Sequence, residues 1–99
     1  MDIELFESSI AHAGPPAELT PLLKALWHDA RGEWARAHEI VQAEKGAEAA
    51  AVHAYLHRKE GDLGNADYWY GRANRSRPAT PLAQEWRALA VHLLGRDSA

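Results

Sequence analysis

The chain carries six histidines and no cysteine. Any transition-metal chemistry it performs must therefore run through imidazole nitrogen and carboxylate oxygen, not thiolate. His53 and His57 stand four residues apart, a spacing that puts both rings on one face of a helix and within reach of one ion. His28, one structural unit earlier, is the third residue that can approach them. The zinc-protease pattern needs a glutamate directly after the first histidine, and Ala54 occupies that position. Hydrogen-bonded histidines packed among aromatic rings explain the same residues more simply. The set His28, His53 and His57 therefore stands as the alternative, and no metal or other cofactor is required.

Other routes to catalysis are poorly supplied. The absence of cysteine removes disulfides and thiolate nucleophiles. Ser8, Ser9 and Ser98 lie near the ends, and Ser76 sits in a loop with no histidine motif beside it. Gly61-Asp62-Leu63-Gly64 has neither the spacing nor the strand context of a phosphate-binding loop. Tyr68, Trp69 and Tyr70 are consecutive, so on a helix at most two of them share a pocket; Tyr70 is expected in the core. No enzyme is expected. A net charge of −3 over 99 residues argues against nucleic acid, whose readers carry a basic face. Arg72, Arg75 and Arg77 complement a helix C-terminus without any such partner. The acidic opening MDIELFESSI lacks the basic and apolar regions of a leader. Apolar runs such as Ala49–Val52 are far short of the roughly 20 residues of a membrane span. The expectation is a cytoplasmic protein with no membrane contact.

These side chains must be positioned by helices, because no segment alternates with a period of two over strand length. Residues 1–19 read as an arm and linker, helical at most over the first ten and broken by Gly14, Pro15 and Pro16. Residues 20–99 read as one helical domain. Thr20-Pro21 and Thr80-Pro81 each open a helix, since proline at the first helical position gives up an N–H that has no partner there. Gly32, Gly46, Gly61 and Gly95 each mark a helix end. The helices between them carry Leu22, Leu23, Leu26 and Trp27; then Trp34, Ala37, Ile40 and Val41; then the Ala47–Glu60 segment, the Leu63–Ala73 segment and a last helix to about Leu94.

The register repeats. Aligning Lys24–Ala37 with His53–Ala66 pairs Ala25 with Ala54, His28 with His57, Gly32 with Gly61 and Ala37 with Ala66. Ala54, Gly61, Asp62, Ala66, Tyr70, Ala73 and Pro78 follow the spacing of the tetratricopeptide repeat family, which the chain resembles over roughly Ala47–Pro78. The family's aromatic on the first helix is replaced by His57, and by His28 in the earlier unit, which is shorter and degenerate and has Glu44 where a small residue is expected. The whole chain is also similar to small uncharacterised bacterial proteins that contain a stretch like His53–Ala73, a likeness that implies no activity.

The resemblance implies an all-α, right-handed stack of about five helices, formed by two antiparallel hairpins and a C-terminal helix. It further implies a concave face lined by Leu22, Leu26 and Asp29, by Tyr55, Arg58 and Lys59, and by Leu89 and His92. Arg58 and Lys59 beside Tyr55 suit a peptide carboxylate, so Asp29, Tyr55, Arg58, Lys59 and His92 are the expected binding residues. The function expected is a small interaction module for a peptide or protein, with a homodimer as one way to cover exposed repeat ends. The alternative is a small-ligand or metal-binding protein using the histidines.

Overall fold

The computed structural model describes residues 1–97, and among them it is all-helical: α1 (Ile3–Ser9), α2 (Pro21–Ala30), α3 (Trp34–Gln42), α4 (Ala47–Glu60), α5 (Leu63–Arg72) and α6 (Leu82–Asp97), with no strand. Ser98 lies outside the described residues. The helix count is six where about five were expected, because the opening of the arm is a helix. Asp2 caps α1 by accepting the Leu5 N–H at 2.8 Å.

The repeat register survives as hydrogen-bond geometry. After α2, Gly32 turns the chain at φ +80°, and the Glu33 N–H donates to the His28 carbonyl at 3.0 Å. After α4, Gly61 does the same at φ +89°, and the Asp62 N–H donates to the His57 carbonyl at 3.0 Å. A side chain at either glycine would be strained by that left-handed backbone. Asp62 then caps α5 through the Asn65 N–H. Gly95 behaves differently. It lies inside α6, which runs on to Asp97, and its φ is not positive. Gly95 therefore does not act as a stop signal, unlike Gly32, Gly46 and Gly61, whose φ is positive.

α2 packs along α3, α4 along α5, and α3 meets α4 between the two pairs. α4 is the central helix, buried without interruption from Ala49 to His57, as a helix surrounded by neighbours must be. Ala54, Ala66 and Tyr70 form a local cluster where α4 and α5 approach closely. α6 lies against α2, α4 and α1, with no backbone contact along α5. Three indole N–H groups tie helices to one another. Trp27 donates to the Ser9 carbonyl at 3.1 Å, Trp34 to Leu56 at 2.8 Å and Trp86 to Leu26 at 3.0 Å.

The arm shares this core. Phe6 is fully buried and its ring stacks on Trp86 with centroids 5.7 Å apart. The Arg31 guanidinium donates to the carbonyls of Ile10 and His12 at 2.8 and 2.7 Å, fixing the start of the proline-containing linker.

Candidate functional site

The expected binding residues come together in part, and where they do they bind one another. Asp29, on α2, is buried. Its carboxylate accepts the Tyr55 hydroxyl at 2.9 Å and the Lys59 ammonium at 3.0 Å. Arg58 points the other way, to the buried Glu85 of α6 at 2.7 Å and to the Thr80 carbonyl. Glu85 also accepts the Tyr70 hydroxyl at 2.6 Å. Burial, with the carboxylates beside them, pushes both phenols up from their ordinary value, so both stay protonated donors at neutral pH. His92 is elsewhere, on the outer side of α6, against Glu48 at 2.8 Å. The two cations expected to grip a carboxylate are thus already paired with Asp29 and Glu85, and α6 packs against α2 and α4. A cleft of about 560 Å³ remains beside this network, with Asp29, Tyr55, Lys59 and Trp86 among its walls.

A second region is the outer face of α1 and α6. Met1, Leu5 and Val91 are 40%, 60% and 48% exposed; Leu63 and Tyr68 of α5 are the other exposed large hydrophobic side chains among the described residues. Met1, Ile3 and Val91 line one shallow groove, and Val91 continues into another beside Ala88, Arg87 and His92. The flanking charges segregate by helix, with exposed Asp2, Glu4 and Glu7 at α1 and exposed Arg87, His92 and Arg96 on α6.

The third region gathers histidines, though not the expected set. His28 is turned to Glu33, 2.8 Å from its Nδ1, with its ring edge-on to Trp27. The residue that meets His53 and His57 is His38 of α3. Their ring centroids lie 4.9 Å (His38–His53), 5.1 Å (His38–His57) and 4.9 Å (His53–His57) apart, close to an equilateral triangle. Nε2 of His38 and Nε2 of His53 are 3.2 Å apart. His57 Nδ1 faces the Glu60 carboxylate at 2.6 Å, and its Nε2 faces the Asn65 amide at 3.3 Å. Two indoles clamp the group: Trp34 stacks on His38 at 4.9 Å, and Trp69 stacks on His53 at 4.0 Å. Desolvation, reinforced by the neighbouring rings, lowers the His53 pKa to about 4. His38 is lowered for the same reasons, with Glu60 opposing.

His38 was missed because it stands alone in its segment. The available signal was its place on α3, four residues after Trp34 and one after Ala37, at the edge of the buried stripe. Of the tyrosine–tryptophan run, Tyr70 is buried, Trp69 half-buried and Tyr68 exposed, as consecutive helix positions require.

No family model, curated protein or solved structure matches the chain.

Proposed function

We propose that the protein is a small helical interaction module that associates with a second copy of itself through the outer face of α1 and α6. The observation that carries this reading is the exposure of Met1 and Val91, which line one groove, and of Leu5 on α1. Exposed apolar side chains grouped this way favour burial against a partner. The charge distribution selects the partner. An isologous two-fold contact sets α1 of one copy against α6 of the other, bringing Asp2 and Glu4 opposite Arg87, His92 and Arg96, whose pairs within the chain are with Glu7 and Glu48. In this reading the two hairpins are a degenerate tetratricopeptide-like pair working in the cytoplasm, and the inner face is closed by the chain's own α6. Arg58 and Lys59 are tied to the buried Glu85 and Asp29, whereas the outer pairs Arg87–Glu7, His92–Glu48 and Arg96–Glu48 are solvent-exposed and free to exchange partners, which supports the outer face over the inner one.

Sedimentation equilibrium between roughly 1 and 200 μM is the test. Association that Leu5→Glu and Val91→Glu each weaken at least tenfold, with unchanged helicity, is the expected result. A protein that stays monomeric across that range sinks the proposal.

A further inference from the structure

We infer that His38, His53 and His57 form a binding site for one late first-row divalent ion, of which Zn²⁺ is the natural probe, held by three imidazole nitrogens. This is independent of the association proposed above, because the histidines lie between α3, α4 and α5 and not on the α1–α6 face.

The argument begins with distance. Three imidazoles on one tetrahedral ion, with metal–nitrogen bonds of about 2.0 Å, hold their ligating atoms roughly 3.3 Å apart and their ring centroids roughly 5 Å apart. The three centroid separations here are 4.9, 5.1 and 4.9 Å. The Nε2 atoms of His38 and His53 stand 3.2 Å apart, and one ring nitrogen from each histidine lies within 4.8 Å of the other two. Little movement separates this arrangement from a chelating one.

The outer partners also suit ligation. A metal-bound imidazole characteristically gives its other N–H to a carboxylate, which sets the tautomer and the ring plane. Glu60 sits at that place for His57: an N–H at Nδ1, donated to the carboxylate, leaves a lone pair on Nε2 as the ligating atom. That lone pair meets the amide of the exposed Asn65 at 3.3 Å, a long hydrogen bond that an ion displaces at small cost. Between His38 and His53 one ring nitrogen must now donate to the other. The ion replaces that bridging proton, which moves to Nδ1 of the donating ring. Stacking on Trp34 and Trp69 holds the planes of His38 and His53 in advance. An all-nitrogen donor set selects Zn²⁺, Ni²⁺ or Cu²⁺ over Mg²⁺ and Ca²⁺, which need oxygen ligands.

The ion also has a mechanical meaning. His38 belongs to the α2–α3 pair, and His53 and His57 to the α4–α5 pair, so binding links the two units across their interface.

The experiment uses tag-free full-length protein, stripped with chelator and titrated with Zn²⁺ by calorimetry, with Co²⁺ as a spectroscopic substitute. One ion per chain is expected, with a nitrogen-rich tetrahedral Co²⁺ spectrum. His38→Gln, at the partly exposed rim of the cluster, should weaken Zn²⁺ at least tenfold, and Glu60→Gln severalfold. His28→Gln, outside the cluster, should leave affinity unchanged. Circular dichroism of each variant separates lost ligation from lost folding. If folded wild type takes up no Zn²⁺, Ni²⁺ or Cu²⁺ at 100 μM, the cluster is hydrogen-bonded packing and the inference is wrong. Uptake that His38→Gln does not weaken, or that His28→Gln abolishes, overturns the assignment equally.

Discussion

The indole of Trp34 donates to the Leu56 carbonyl across the α3–α4 interface at 2.8 Å while its face lies on the His38 ring. One side chain therefore both docks the first helical pair on the central helix and orients the histidine that completes the cluster.

Separating those two roles is possible by substitution. Trp34→Phe keeps a ring on His38 but loses the hydrogen bond, so it should cost about 1 kcal/mol. Trp34→Ala removes the packing as well and should cost about 3 kcal/mol. Urea unfolding of both variants checks this, and equal losses would show that the ring stack contributes nothing.

The Asp29 network should respond unequally to loss of its members. Asp29→Ala strands a buried phenol and the Lys59 ammonium, and should cost about 3 kcal/mol. Lys59→Met should cost under about 1 kcal/mol, because that side chain is 37% exposed. A Lys59→Met variant as unstable as Asp29→Ala would contradict the assignment of Asp29 as the buried hub.

Acid should destabilise the metal-free protein through His53. Its folded pKa is about 4 against an ordinary 6.5, so the unfolded chain binds the proton more readily. The stabilisation is complete above pH 6.5 and is lost as the pH falls towards 4, about 3 kcal/mol in all. The groups around His53 are His38 from α3, His57 on α4 with Glu60 behind it, Trp69 from α5 with Arg72 over its ring, and Glu44 and Lys45, which line the same cleft. Denaturant midpoints measured in chelator from pH 7 to 4 should show this decline, and His53→Phe should flatten it. An unchanged slope in that variant would place the proton elsewhere.

Two glycines should move in opposite directions. Gly61→Ala forces a side chain into φ +89° and should lower stability by about 1 kcal/mol. Gly95→Ala lies in helical backbone with open space around the new methyl, and should raise it by about 0.5 kcal/mol. Thermal melts of the two variants decide the matter.

Local chemistry made most of the helices legible. Pro21 at a helix start, Asp62 as a cap and the glycines at 32, 46 and 61 act within a few residues of themselves, so their effects can be read along the chain. The four-residue spacing of His53 and His57, and the small Ala54 and Ala66 against Tyr70, belong to the same class. The exception, Gly95, is a residue whose meaning depends on whether the chain beyond it stays helical.

What the tertiary structure alone decided is which helix faces meet. His38 joins the pair on α4 because α3 packs there, at a rotation set by Trp34, Ala37 and Val41 filling the space beside α4. No spacing within α3 encodes that partner. α6 takes the face of α2 and α4 because Trp86, Leu89 and Ala90 find apolar surface and the Leu26 carbonyl there. In doing so it consumes the charges of Arg58 and Glu85. Sequence periodicity says which side of a helix is buried; only the mutual fit of side-chain volumes says against what.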